Sequence, residues 1–487
     1  MAKPLTAVFE PVPSRSESIL STRRGVSILV LLCAVQFLDL LDASIVNVAL
    51  PSIRDDLGFS QQGLQWVLSG YLLTYGGFLL LGGRAADLLG RRRIMVAGTA
   101  LFGVCSLVGG LAQTSEVLVV ARLVQGMGSA MMTPAALSIL TTTFVGGDRL
   151  KALGAWGAMA GLSSSAGVVL GGVLSDGPGW RWVLFVNLPV CAVVLVAAFR
   201  LFDNDRRRSP LREFDSVGAV LGTGGMLLLV HAIVEAPNVG WGATRTIGEL
   251  ATAAVVLVAF SINEVRSTNP LVPFDIFRIK GLAAADVTQL IALAGFYSVF
   301  FFVTLYMQNV LGFSPIRAGL AYVPVTFGVA IAAGVSSKLF SRTGTRPIIV
   351  VGALAGSSGM FWVSRIPVNG SYWVDVLPGM FVMALGLGMV FVGVITAANA
   401  GVPADRAGLA ASLISASQQV GAALGLAVMS AIATSHTASA LRSNPVDQPG
   451  ALTNGYHAAL VAAALFTFGA ALIGTRAANT RGEPQPI

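Results

Sequence analysis

The sequence predicts an all-α protein that crosses a membrane many times, built as two six-helix bundles with two additional helices between them. Three observations predict it. Of 487 residues, 55% are hydrophobic and only 11% charged, against roughly 25% charged in an ordinary soluble domain. Long apolar runs recur along the chain, near the length of about 20 residues that a spanning helix needs. Basic residues crowd alternate connections between those runs. Charges this sparse cannot coat a soluble globule of two or three domains, so a soluble enzyme is excluded first. The three cysteines, Cys33, Cys105 and Cys191, sit inside apolar runs with neither disulfide nor zinc spacing. Three histidines, His231, His436 and His457, leave almost nothing for metal chemistry. A net charge of +8 fits basic cytoplasmic loops rather than nucleic acid.

Fourteen segments follow in order. The first, 26–49, is too long for a cleavable signal peptide and runs into a polar turn before the second, 63–82. The arginine run 91–93 separates it from 94–113, and a short polar turn leads to 116–140. A glycine-rich segment, 151–174, and a sixth, 182–200, complete the first group. Segments 216–235 and 247–264 are bracketed by two basic connections, 200–215 and 264–281, and read as an inserted pair. The last six are 282–308, 316–337, 347–365, 376–399, 404–433 and 456–475. The organisation expected is a cytoplasmic tail (1–25), a first bundle (26–200), the inserted pair with its loops (201–281), a second bundle (282–475) and a cytoplasmic tail (476–487).

Orientation follows from the basic residues. With the N-terminus inside, 24 of the 31 Lys/Arg fall on the inner side, six on the outer side, and Arg122 within a span. Positive loops resist translocation, so both termini are expected in the cytoplasm. An even number of spans is required for that alternation.

A weak internal repeat supports paired bundles. Gly83-Arg84-Ala85-Ala86-Asp87-Leu88-Leu89-Gly90-Arg91-Arg92, after the second segment, has a degenerate echo in Ser337–Arg346, after the second segment of the later group. Repeated halves around a membrane-embedded centre are transporter architecture. In the 83–93 loop, glycines allow close helix approach, Asp87 can cap a helix or pair with a neighbouring arginine, and the arginines hold the loop inside. Gly83, Asp87, Gly90, Arg91 and Arg92 are therefore candidate gating residues; a basic turn that only sets topology is the alternative.

These motifs resemble a known family. Gly83–Arg93 is similar to the loop between helices 2 and 3 of the major facilitator superfamily. Leu41–Pro51 resembles the first-helix signature of its drug:proton antiporters, and Arg122-Leu123-Val124-Gln125-Gly126-Met127-Gly128 their helix-4 motif. Trp180–Pro189 and Tyr306–Pro315 resemble the fourteen-helix multidrug exporters of the EmrB/QacA type. The likeness runs from about residue 26 to 475 and implies a major facilitator fold, proton-driven efflux and a part in antibiotic resistance. The family's helix-5 antiporter motif is represented by Gly167, Gly171 and Gly172, with Val168 where a proline is expected. Glycines four apart still allow close helix packing.

Ionisable residues inside spans are costly and rarely face lipid. Asp39 and Asp42 are three apart on the first helix and share a face. Counting from the outer ends, Asp42 and Arg122 lie at similar depth, so they are expected to pair, either permanently or as a protonation-linked switch. Asp39 lies about one turn deeper, near the midplane. There burial favours its neutral form, either as a silent buried acid or as the group that exchanges a proton. Asp286 is placed at the cytoplasmic interface or in the cavity, and His231 with Glu235 at the outer surface. Gln125, Met127, Gln289, Phe296, Tyr297 and Gln418 are candidate cavity residues, with helix packing as the alternative for the Met and aromatic groups.

The functional expectation is a proton-coupled exporter of amphipathic, cationic compounds in the plasma (inner) membrane, working by alternating access. It needs no cofactor beyond the proton gradient. No P-loop occurs, so ATP is not the energy source, and its partners are a small amphipathic substrate, protons and the bilayer, without nucleic acid. Export of one endogenous metabolite or lipid stays open within transport, and a membrane enzyme or sensor stays open outside it.

Overall fold

The computed structural model describes residues 19–60, 63–144, 146–202, 215–268, 270–279, 281–400, 402 and 407–481. Its long elements are all helices. The first group comprises α1 (Arg23–Leu57), α2 (Trp66–Leu89), α3 (Arg91–Gly110), α4 (Ser115–Thr143), α5 (Gly146–Asp176), α6 (Arg181–Phe185) and α7 (Asn187–Leu201). A hairpin of α8 (Ser216–Val239) and α9 (Thr244–Arg266) follows. The second group is α10 (Leu282–Asn309), α11 (Pro315–Ala321), α12 (Val323–Thr343), α13 (Thr345–Val363), α14 (Leu377–Asn399), α15 (Ala407–Ser443) and α16 (Gln448–Gly474).

Local chemistry sets the helix starts. Thr22, Thr114, Asp215, Ser314 and Asp447 each accept a backbone N–H from the first turn that they open. Among the described residues, thirteen helical stretches are long and apolar enough to span a membrane. The helix α5 is 31 residues long, but its described apolar stretch covers only Ala166–Asp176.

Several sequence expectations shift. The helix α1 runs on through Pro51 to Leu57, and α15 reaches Ser443, about ten residues past the apolar run that marks it. Backbone hydrogen bonding continues a helix beyond its greasy part, which hydropathy alone does not register. The sixth segment is broken at Val186 into α6 and α7, and the tenth at Tyr322 into α11 and α12. The expected 83–93 loop is mostly helix: α2 continues to Leu89, and Gly90 alone separates it from α3. Gly90 has φ 110°, open to glycine and strained for other residues. The repeat copy is built the same way, with Gly344 (φ 86°) as the single link between α12 and α13.

The repeat extends to packing. The contact of α1 with α5 corresponds to α10 with α15, and that of α2 with α4 to α12 with α14. Likewise α3 packs on α4 and α7 as α13 packs on α14 and α16. Two bundles related in this way meet along two seams, α2 against α15 and α5 against α11. An inserted pair is expected to lie outside the two bundles, but the hairpin does not lie wholly outside. The helix α8 packs on both α2 and α15 and so covers the first seam, with Gly77 giving way to the Thr223 side chain. Only α9 is outermost, in contact chiefly with α8 and 11% buried along its apolar window.

The face carrying the start of α1 and the end of α16 is called here the terminal face, its opposite the distal face. One apolar cluster joins the distal half of the first bundle, Ile45 to Leu68, with the second bundle. The other holds the terminal half of the first bundle together with α8 and Ala422, Ala423 and Ala427 of α15. The two bundles are thus sealed together on the distal side.

Candidate functional site

Asp39 and Asp42 of α1 face α2, α4 and α7, where they anchor a buried polar cluster. Asp39 is 2% exposed and Asp42 and Arg122 are fully buried. Arg122 Nη1 lies 2.5 Å from Asp42 Oδ2, the pairing expected from depth counting. The other Asp42 oxygen accepts from Gln125 Nε2 at 3.0 Å and Asn187 Nδ2 at 2.7 Å. Arg122 also donates to Gln125 Oε1 at 2.6 Å and, from Nε, to the Val67 carbonyl at 2.9 Å. Ser106 closes the network by accepting from Gln125 and Asn187. Hydrogen bonds to the remaining atoms of a buried ion pair offset much of its desolvation cost. Among the described residues Arg122 Nη2 is left without a partner.

Asp39 sits in a different environment. Its two oxygens accept from the hydroxyls of Tyr71 (2.7 Å) and Tyr75 (2.9 Å), both on α2, and it makes no ion pair among the described residues. Tyr71 also shares a 2.7 Å hydrogen bond with Ser129. The Arg122 guanidinium lies 4.3 Å over the Tyr71 ring. A cation over a desolvated ring face is held by about 2 kcal/mol or more. Tyr71 therefore connects Asp39, through its hydroxyl, with the Asp42–Arg122 pair, through its ring.

Gln125, expected in the cavity, is a member of this network instead. Tyr71, Tyr75, Ser106, Ser129 and Asn187 were not singled out from sequence. Polar groups in the middle of apolar spans are the available signal, and Asn187 lies inside the Trp180–Pro189 motif. The remaining expected residues disperse. Tyr297 packs against both apolar clusters, at the boundary of the bundles. Phe296 is fully buried against Gly356 of α13, inside the second bundle. Met127 is one heptad beyond Val120, which is 58% exposed, so it shares the outward face of α4. Gln418 is half-buried, whereas a Cβ on Gly76 of α2 would come 2.8 Å from Gln419 Cβ. Asp286 is 5% exposed rather than at an open interface, and among the described residues neither it nor the Gln289 side chain one turn on has a hydrogen-bond partner. His231 stands 4.0 Å from Glu249 at the distal end of the hairpin, a half-exposed surface pair.

The helix-5 glycines serve two interfaces. A Cβ at Gly167 would meet Ser44 Cβ at 2.6 Å, and one at Gly171 the Ile45 carbonyl oxygen at 2.7 Å, so both allow α5 to lie on α1. Gly172 faces the other bundle, where a Cβ would stand 2.5 Å from Ile316 Cα. Val168, in place of the motif proline, presents its carbonyl to Gly319 of α11. This distal seam is continued by polar contacts between α1 and α10. Asn47 donates to Thr304 (3.3 Å), Gln308 to the Val48 carbonyl (2.9 Å), and Arg54 to Asn309 (3.3 Å). On the terminal face Gly83 lies near Pro134. Arg84 reaches the Pro270 carbonyl (3.4 Å), Arg91 the Thr142 hydroxyl (2.9 Å), and Arg92 stacks on Phe199. The Asp87 side chain lies outside the described residues. Among the described residues no group of three or more His, Cys, Asp or Glu could hold a metal, and all three cysteines are buried and free.

A pseudo-repeated pair of helix bundles, with ionisable groups buried inside the first of them, defines a multi-pass membrane transporter, not an enzyme. The chain belongs to the major facilitator superfamily, whose family model matches residues 32–426. It is 36% identical to the puromycin resistance protein pur8 of Streptomyces alboniger, over 91% of this chain and 89% of that one. It is also 36% identical to the cephamycin export protein CmcT of Amycolatopsis lactamdurans, over 93% and 92% of the two chains. The fold matches a crystal structure of a bacterial homologue of the human lysosomal transporter Spinster, in an inward-facing and occupied conformation. That match has a TM-score of 0.66 and 17% identity, and covers 93% of this chain and 96% of the other. The relatives are thus drug and antibiotic resistance or export transporters of this superfamily.

Proposed function

We propose that the chain is a proton-coupled exporter of amphipathic, preferentially cationic compounds, with fourteen spans, α5 among them, and both termini in the cytoplasm of a cell with this protein in its inner membrane. The terminal face is then cytoplasmic, and the sealed distal seam makes this the conformation closed to the outside. The observation that carries the reading is Asp39. It is a buried carboxyl near mid-span, held by two tyrosine hydroxyls and without a salt bridge among the described residues, beside the Asp42–Arg122 ion pair. Asp42 and Arg122 neutralise one another and hold α1 to α4, whereas Asp39 is left to take either a proton or the charge of a substrate. The names of the relatives, which include puromycin and lincomycin resistance proteins, support drug-like cargo.

Export follows by competition. A protonated Asp39 meets a cationic substrate from the cytoplasmic side, the proton leaves, and the α1–α10 and α5–α11 contacts separate to open the outer side. A new proton then displaces the substrate. Coupling is tested with purified protein in liposomes under an imposed pH gradient, using a lipophilic cationic dye. Dye should accumulate against its own gradient while protons move the opposite way. Dye movement that only equilibrates, with no proton counterflow, removes proton coupling from the proposal.

A further inference from the structure

A second pair of carboxylates lies far along the chain from the Asp39 cluster, at the terminal end of the α8–α9 hairpin. Asp215 caps α8 and is 8% exposed; Glu264, in the last turn of α9, is 3% exposed. Asp215 is well served. Its Oδ1 accepts the Gly218 N–H at 2.7 Å, and both oxygens accept from Asn263 Nδ2, at 3.0 and 2.8 Å. Glu264 is half served. Its Oε2 accepts the Val272 N–H at 2.7 Å, while Oε1 is buried and has no partner among the described residues. That oxygen and the Asp215 carboxyl border the same space beside Gly218. A Cβ added to Gly218 would lie 2.5 Å from Glu264 Oε1 and 2.8 Å from Asp215 Oδ2. Glycine at 218 leaves the space between the two carboxyls empty of side chain.

Two buried carboxylates side by side, with no cation between them among the described residues, cannot both stay ionised at low cost. The described charged groups nearby are Arg266, exposed at the end of α9, and Arg84 of α2, whose guanidinium binds the Pro270 carbonyl. Neither forms an ion pair with Asp215 or Glu264 among the described residues. One proton taken up by Glu264 would remove the repulsion between the two carboxyls and give the partnerless Oε1 a hydrogen to share with Asp215. We propose that Asp215 and Glu264 form a shared-proton site that fastens the hairpin to the 270–272 connection. It is a proton-binding site separate from the Asp39 cluster, with which it shares no hydrogen-bond partner among the described residues.

Its position gives that proton a consequence. Glu264 holds Val272 by its amide, and two residues away Arg84, on the helix that leads into Gly90, holds Pro270 by its carbonyl. With the proton in place, hairpin, connection and the end of α2 form one tied unit. Without it, repulsion between the carboxylates turns Glu264 outward and frees Val272. The ligand is the proton of the solution bathing the terminal face. On the orientation given above that is the cytoplasm, so the site reports internal pH beside the link at Gly90.

The test reads the connection itself and not transport, so it stands or falls apart from the Asp39 reading. A nitroxide is attached to Thr268→Cys in full-length protein with the buried cysteines changed to serine or alanine, and its mobility is followed by electron paramagnetic resonance from acid to alkaline pH. The expected result is an immobilised label at acid pH that is released in a single step as pH rises. Glu264→Gln, which keeps a donor toward Asp215 and an acceptor for Val272, should hold the label immobilised at every pH. Asp215→Asn should also abolish the step. A label whose mobility does not change with pH in the otherwise unaltered protein overturns the proposal, as does an unaltered step in Glu264→Gln.

Discussion

The Tyr71 ring lies beneath the Arg122 guanidinium, 4.3 Å from centroid to Cζ, while its hydroxyl donates to Asp39 at 2.7 Å. One side chain therefore senses both the permanent charge of the cluster and the carboxyl proposed to titrate. Tyr71→Phe keeps the ring and removes the hydroxyl. The protein should fold, but the ionised form of Asp39 loses a charge-assisted donor worth about 1.5–3 kcal/mol. Substrate export should need more alkaline conditions than in the parent, measured as dye efflux against internal pH. Tyr71→Leu, which also bares Arg122, should lose folded protein as well.

Asp42→Asn should be primarily a folding defect. Breaking a buried pair by removing one partner costs about 3–5 kcal/mol, and Arg122 Nη2 is already without a partner among the described residues. The melting temperature in detergent should fall sharply for Asp42→Asn, and the double variant with Arg122→Gln should regain part of the loss. No recovery in the double variant would mean that the pair is not the source of the defect.

The glycines of α5 should separate by interface. Gly167→Val pushes against α1 within one bundle and should reduce the amount of folded protein. Gly172→Val pushes against Ile316 of the other bundle, so it should leave folding largely intact and favour the distal-open state. Cysteines placed along the α1–α10 contact, at Asn47 for example, whose side chain meets Thr304, should then react faster with a membrane-impermeant thiol reagent.

A cysteine pair at Asn47 and Thr304, whose side chains meet at 3.3 Å across the distal seam, should arrest export when oxidised and release it on reduction. Undiminished export after confirmed cross-linking would show that this seam does not open during transport.

Much of this was legible in sequence for physical reasons. The Asp42–Arg122 pair could be anticipated because helix rise converts residue counts into depth, and two opposite charges at one depth in a low-dielectric medium must meet. The paired single-glycine links at Gly90 and Gly344 were visible as a repeat. What sequence did not reveal is direction around a helix axis. Phe296 and Tyr297 are adjacent and equally aromatic, yet one packs within a bundle and the other at the boundary. In spans apolar on nearly every face, the period that separates inside from outside is weak. Tyr71, Tyr75 and Asn187 escaped notice because each belongs to a helix other than the carboxylates it serves, and tyrosine in an apolar run reads as packing. The place of α8 over the α2–α15 seam is likewise tertiary: nothing in its composition says which helices it touches.

The central claim is that Asp39 alone carries the exchangeable proton while Asp42 remains a structural anion. It is tested most directly by substrate accumulation in proteoliposomes under an imposed pH gradient, comparing Asp39→Asn with the parent protein for one monocationic and one uncharged substrate. The account predicts that Asp39→Asn binds and equilibrates substrate but no longer concentrates the cation, at any pH. If Asp39→Asn still concentrates the cation with the parent's pH dependence, the claim is wrong and the proton must be carried elsewhere, with the buried Asp286 next in line.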